Sequence, residues 1–249
     1  MTITRHHNQR LKEIRKLRQR RRERERSARF VAEGEDLLAA ADAAGWPALE
    51  RFCAAGSGLP GVEIEPSALA SVSGLASGTR TLAVYQERWA PAPLGPLCVY
   101  LHGVSDPGNV GAVLRSAEAF GASSVAVGPG TADPYSPKAV RASMGAIFAV
   151  PVARAGGADL ADLPGQTIAL AAGSGVALAD VVDVDDRIGS QRRPPPDATL
   201  LIGAEREGLP DALIAQADVV AHISIATNSL NAAMAATVAL YELTRMPPA

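Results

Sequence analysis

Three stretches of this chain gather small, polar and charged residues where an apolar run ends. The first is Ser105-Asp106-Pro107-Gly108-Asn109-Val110-Gly111, which continues into Arg115 and Ser116. The second is Gly203-Ala204-Glu205-Arg206-Glu207-Gly208-Leu209-Pro210, and the third is Thr227-Asn228-Ser229-Leu230-Asn231. Asp-Pro-Gly is turn chemistry, and glycines let a backbone approach a bound ligand closely. Taken singly, each stretch has an ordinary structural reading: Asn109 as a helix cap, Arg115 as a surface charge, and Asn228 or Ser229 as the cap of the Ala-rich helix that follows.

Other catalytic patterns are missing. The G-x-G-x-x-G at Gly56–Gly61 leads from one strand into another rather than into a helix, no G-x-x-x-x-G-K-[ST] occurs, and there is no G-x-S-x-G elbow. Dinucleotide, P-loop and esterase chemistry are thereby set aside. His6 and His7 lie in a charged leader, and His102 and His222 border apolar strands, which makes them core histidines rather than bases or ligands. Cys53 and Cys98 have no partner at metal-ligand spacing, so no metal is expected and both read as buried thiols.

The elements that must position the three stretches alternate. After Leu97 the pattern reads strand (97–104), helix (110–120), strand (124–127), helix (137–144), and strands over 147–152, 167–172 and 199–202. A helix (211–217), a strand (219–225) and the closing Ala-rich helix complete it. Such alternation predicts an α/β fold with a mostly parallel sheet covered on both faces. Ligands of such sheets bind at the carboxyl ends of the strands, where the three stretches fall. Upstream, residues 30–89 read as a small α/β unit with strands at 30–32, 49–54, 62–64 and 81–85 and helices at 35–44 and 67–72. The proline-rich segment 90–96 separates it, as a linker, from a domain over 97–249. A second polar, proline-rich segment, 187–197, reads as an exposed excursion.

With 249 residues and 47% hydrophobic content the chain can bury a sizeable core. No apolar run approaches the roughly 20 residues that span a bilayer, and the N-terminus is charged where a signal peptide needs an apolar stretch. A cytoplasmic protein without membrane contact is expected. Net charge is −2, yet residues 1–29 hold 12 Lys/Arg against 3 Asp/Glu. This basic N-terminal extension carries Leu11, Ile14 and Leu17 at a spacing of three, a thin apolar stripe on a cationic helix or on a tail that folds when bound. A segregated cationic block on an otherwise acidic protein points to a polyanion such as RNA or DNA.

Read as a set, the three stretches resemble the SpoU (TrmH) family of RNA ribose methyltransferases of the SPOUT superfamily. The first motif is met by Asn109, Gly111, Arg115, Ser116, Ala117, Phe120 and Gly121; the second by Gly203, Glu205, Gly208 and Leu209; the third by Ile223, Ser229, Leu230, Asn231, Leu240, Tyr241 and Glu242. Arg141-Ala142-Ser143-Met144-Gly145-Ala146 is similar to the family's segment between motifs one and two, and residues 30–89 resemble the L30e-like RNA substrate-binding domain of many members. Two departures stand out: Ser224 replaces the usual proline, and Ala232-Ala233 stands where Val-Ser is common.

The resemblance implies a SPOUT methyltransferase domain with a C-terminal trefoil knot, a homodimer, and methyl transfer from S-adenosylmethionine to a ribose 2′-hydroxyl. Ribosomal RNA, 23S above all, is the preferred substrate, with transfer RNA as the alternative and a non-catalytic RNA-binding assembly factor as the reading from another class. It implies a cofactor held by Gly203, Glu205, Gly208, Leu209, Ile223, Ile225, Ser229 and Leu230. Asn109, Arg115, Glu205, Ser229 and Asn231 are implied around the reacting ribose. RNA contacts are expected from Arg15, Lys16, Arg18, Arg20, Arg21, Arg22 and Arg141. For Arg115 the resemblance implies either a general base or a phosphate clamp, and the clamp suits it better because a guanidinium stays protonated.

Overall fold

The fold is seen in a computed structural model that describes residues 2–4, 8–74, 78–156, 160–181, 183–185, 191–193, 197–227 and 229–245. In chain order its elements are α1 (Gln9–Gln19), α2 (Arg21–Ser27), β1 (Arg29–Glu33), α3 (Glu35–Ala43), β2 (Glu50–Ala54), β3 (Val62–Ile64), α4 (Pro66–Ala70) and β4 (Thr81–Gln86). There follow β5 (Leu97–Leu101), α5 (Pro107–Ala119), β6 (Ser124–Val127), α6 (Pro137–Ala142), α7 (Ala146–Ala149), β7 (Val152–Arg154) and β8 (Gln166–Leu170). The last are β9 (Val176–Ala177), β10 (Asp183–Asp185), β11 (Gln191–Arg193), β12 (Ala198–Ile202), α8 (Asp211–Gln216), β13 (Val219–His222) and α9 (Ala232–Thr244).

Two sheets organise the molecule. The first has the order β1-β4-β2-β3. The basic leader folds onto it: Leu11, Ile14 and Leu17 of α1 are buried with Val31, Phe52, Ile64, Leu69 and Leu82. The stripe that the sequence spaces by three is therefore core, and the segment is two helices rather than a free tail. Removing it would open an apolar core as well as remove charge. His6 and His7 lie outside the described residues.

The second sheet runs β7-β6-β5-β12-β8-β13-β9, with every pairing parallel. Its central strands, Leu97–Leu101 and Ala198–Ile202, are nearly continuous apolar runs, as burial on both faces demands. The chain steps outward from β5 to β7, returns to β8, and inserts β12 between β5 and β8. The register sets Ile202 beside Leu101, so the loops after β12 and β5 emerge side by side. Such a reversal of strand order opens a crevice at the carboxyl edge.

The two sheets share an aromatic seam. Phe30 lies 4.8 Å from Tyr135 and 5.9 Å from Phe148, and Tyr85 and Trp46 meet Phe148 at 5.2 and 5.3 Å. A buried pair, Arg24 and Asp133 at 2.7 Å, ties α2 to the larger sheet's side. The seam explains one departure from the sequence expectation. Residues 147–152 are not one strand: Ala146–Ala149 form a helical turn that buries Phe148 in the seam, and the strand begins at Val152. Gly145, at φ 105, provides the turn, and an added Cβ there would sit 2.6 Å from Cβ of Ala40 across the seam. Most of segment 187–197 lies outside the described residues.

Candidate active site

The first loop is built around Asp106. Its side chain caps α5 by accepting from the Gly108 N–H at 2.5 Å, and Pro107 occupies the first turn where a missing N–H costs nothing. Asn109 is thus not the cap, and its amide is free to leave the helix. It donates through Nδ2 to Oε1 of Glu205 and accepts through Oδ1 from Nδ2 of Asn231 at 3.1 Å. Asn231 in turn caps α9, its Oδ1 accepting from the N–H groups of Ala233 and Met234 at 3.0 and 3.3 Å. Ser229 is not that cap, and Asn228 lies outside the described residues. One hydrogen-bonded chain therefore joins all three motif loops: Glu205, Asn109, Asn231.

Lys138 of α6 holds Asp106 at 2.8 Å. This contact, with the Gly108 N–H, keeps the Asp106 carboxyl below its ordinary value. A depressed folded-state value gives stability that is present above the unfolded carboxylate range, about 3.9, and lost as pH falls through the folded value. Asp106→Ala should lower the unfolding free energy by about 1 kcal/mol at neutral pH. In urea unfolding at about pH 3 the gap from wild type should shrink; an undiminished gap would mean that the carboxylate charge is not what caps α5.

The second loop closes on itself. Ala204 and Gly208 exchange backbone hydrogen bonds at 3.1 and 3.0 Å. Gly203 lies so close beneath them that a Cβ would stand 2.1 Å from the Gly208 carbonyl carbon. Between this loop, the loop after β8 and the elbow before α9 lies a cleft of about 420 Å³. Gly203, Glu205, Gly208, Leu209, Ile223, Ile225, Ser229 and Leu230 all line it. So do Ala171, Ala172 and Ser174, which sequence reasoning passed over. Their signal was the run Ala171-Ala172-Gly173-Ser174-Gly175 at the end of a strand, with both glycines at positive φ. The cleft mixes apolar walls with exposed backbone, a lining suited to a flat heterocycle with polar edges.

Arg115 stands apart. It is exposed on α5, has no hydrogen bond or ion pair among the described residues, and lines neither the cleft nor the amide chain. Ser116 beside it joins α5 to α9 through Thr237 at 2.6 Å. Gly111 is where α6 crosses: a Cβ there would stand 2.3 Å from the Ala139 carbonyl oxygen. His102 and His222 are both half-buried, and burial lowers the His102 value while its Nδ1 meets the Tyr100 hydroxyl at 3.1 Å.

Of the cations expected at RNA, Arg15, Arg18, Arg21 and Arg141 line one groove between α1–α2 and α6, joined there by Lys138. Arg18 and Arg141 both turn to the buried Glu33, at 3.5 and 3.3 Å. Lys16, Arg20 and Arg22 are exposed and lie outside the groove.

Residues 96–241 match the SpoU rRNA Methylase family, and residues 8–86 match the MRM3-like substrate binding domain. The chain is 37% identical over 153 residues to the 23S rRNA (uridine(2479)-2′-O)-methyltransferase of Streptomyces viridochromogenes, covering 57% of this chain and 50% of that protein. It is 32% identical over 146 residues to the 23S rRNA (guanosine(2553)-2′-O)-methyltransferase RlmP of Bacillus subtilis, covering 57% of this chain and 56% of that one. The chain thus spans about half the length of these curated relatives. The AdoMet-bound rRNA methyltransferase from Sinorhizobium meliloti superposes with a TM-score of 0.84 at 28% identity, over 98% of this chain and 97% of that one.

Proposed function

The chain belongs to the SpoU rRNA methylase family and has the SPOUT methyltransferase fold, and from that premise we propose that it methylates a ribose 2′-hydroxyl of ribosomal RNA using S-adenosylmethionine. The observation that carries the proposal is the chain Glu205–Asn109–Asn231 at the rim of a ligand-sized cleft. A cofactor in that cleft would be held by the Gly203–Leu209 loop, Ile223, Ile225, Ser229 and Leu230. Gly203 supports this fit, since only a residue without a side chain leaves the loop backbone in place. Bound S-adenosylmethionine supplies an electrophilic methyl group on sulfur.

The protein's own work is positional. Methyl transfer needs the ribose oxygen in line with the methyl, and correct placement of two reactants lowers the barrier by several kcal/mol, up to about 7–11. Asn109 and Asn231, locked to each other and to Glu205, present a fixed polar edge to the ribose. Asn109 takes one oxygen of the Glu205 carboxylate, so the other oxygen is the one placed to receive hydroxyl hydrogen bonding. Arg115, always cationic, holds the neighbouring phosphate and favours negative charge on the attacking oxygen. Asn231→Asp keeps an oxygen for the cap and loses the N–H given to Asn109, whereas Asn231→Ala loses both. The Asp variant should stay close to wild type in thermal unfolding and the Ala variant should fall by about 1 kcal/mol, with methyl transfer reduced in both. Full activity of the Asp variant would remove the Asn109 contact from the mechanism.

The RNA we assign is the 23S ribosomal species, on which the two relatives above act by name. Incubation with labelled S-adenosylmethionine and separated 23S, 16S and transfer RNA transcripts tests it: label should enter 23S RNA, and label in transfer RNA alone would reassign the substrate. The same reading implies the cytoplasm and a knotted C-terminal segment, the latter supported by β8 lying between β12 and β13. It also implies a homodimer. Met234, Val238 and Tyr241 form an exposed apolar face on α9, with Phe120 of α5 edge-on to Tyr241 at 6.2 Å. A second copy covering that face should appear as a dimer in sedimentation at micromolar concentration; a monomer would contradict it.

A further inference from the structure

Two clefts flank the start of α5. The cofactor cleft opens off β12, β8 and β13, whereas a second cleft of about 630 Å³ opens off the carboxyl ends of β5, β6 and β7. Ser105 and Pro107, from the turn that carries Asn109, belong to its wall. If the first cleft holds the methyl donor, RNA must approach Asn109 from this other half of the edge. The cationic groove of Arg15, Arg18 and Lys138 shares Pro107, Arg21 and Arg24 with it, so the two form one continuous path.

The second cleft contains a built platform. The guanidinium of Arg154 lies 3.9 Å over the Trp89 ring, and that ring meets Tyr135 edge-on at 5.2 Å. Arg154 is exposed and has no hydrogen bond or ion pair among the described residues, so its outer face is available. Beside it, Glu87 accepts from Trp89 Nε1 at 2.9 Å through one oxygen. Burial pushes the Glu87 carboxyl above its ordinary value, and a further donor would relieve that desolvation. Unpaired RNA bases stack on guanidinium planes and aromatic rings, and they offer ring and exocyclic N–H groups to carboxylates. A surface that only attracted phosphate would not need an indole beneath its arginine.

We propose that this second cleft is a base-binding subsite, which holds one unpaired RNA base near the target nucleotide against the outer face of Arg154, with Glu87 receiving an N–H from its edge. The proposal rests on the RNA methyltransferase reading. It assigns Arg154, Trp89 and Glu87 to substrate recognition, well away from the cofactor cleft.

The test compares wild type, Arg154→Ala and Arg154→Lys, using the intact protein with 23S RNA transcript and labelled S-adenosylmethionine. One stacked base contributes about 1–3 kcal/mol. Arg154→Ala should therefore raise the RNA KM by about 5- to 150-fold, with kcat at saturating RNA and S-adenosylmethionine affinity within about twofold of wild type. Arg154→Lys, which keeps the charge and loses the plane, should resemble the alanine variant. Full rescue by lysine, or an unchanged KM for Arg154→Ala, would overturn the stacking subsite while leaving the methyltransferase reading intact. Wild-type protein that neither binds nor labels any RNA would overturn both.

Discussion

Arg115→Ala should reduce methyl transfer by at least about 10²- to 10³-fold, while S-adenosylmethionine binds within a few-fold of wild type. The expectation follows from where the side chain lies. Arg115 is exposed, has no partner among the described residues, and does not line the cofactor cleft. Its removal therefore leaves the fold and the cleft unchanged and takes away only a cation. A guanidinium cannot serve as general base near neutral pH, but its planar fork can grip a phosphate through two hydrogen bonds. Arg115→Lys retains the charge without the fork and should recover only part of the rate. Single-turnover kinetics beside calorimetric titration of the cofactor separate the two effects. Loss of cofactor affinity in the alanine variant would place Arg115 in the wrong half of the site.

Gly203→Ala should have the opposite signature. The added methyl would meet the Gly208 carbonyl carbon at 2.1 Å and the Leu209 nitrogen at 2.3 Å, both backbone atoms that cannot rotate away. The loop from Ala204 to Gly208 would have to move as a unit, because its ends are fastened by reciprocal hydrogen bonds. A shift of about 1 Å in a positioning loop costs on the order of 10²-fold in rate, so methyl transfer should fall by about that factor, with cofactor affinity reduced and RNA affinity unchanged. Gly208→Ala is the comparison for fold stability rather than for cofactor binding, since Gly208 also lines the cleft. That residue has φ +70 and no atom within 4 Å of an added Cβ, so it incurs only the cost of a left-handed backbone, about 1–2 kcal/mol. Wild-type cofactor binding by Gly203→Ala would mean that the cleft is not the cofactor site.

The alternation of strands and helices is legible because the parallel strands are buried on both faces and read as unbroken apolar runs, as in Leu97–Leu101 and Ala198–Ile202. What escapes is decided by contacts between distant residues. Asn228, Ser229 and Asn231 are all competent helix caps; only the approach of Asn109, 122 positions away, singles out Asn231. The run Ala146–Val152 suits a strand or a buried helical turn equally by pattern, and the aromatic seam around Phe30 chooses the turn. In the leader, the density of arginine hides three core residues and conceals Arg24, which is buried against an aspartate 109 positions on. Gly111 and Gly203 are the most readable part of the site, since each marks a place where two backbones nearly touch.

A methyl group on a ribose oxygen leaves a chemical mark on the product that no base methylation shares. RNA labelled by this protein from S-adenosylmethionine is digested with alkali, which needs a free 2′-hydroxyl to break each linkage. The label should survive in an alkali-resistant dinucleotide from a single site. Label released in an ordinary mononucleotide would show methylation of a base, and the assignment of Asn109, Glu205 and Asn231 to the ribose would be wrong.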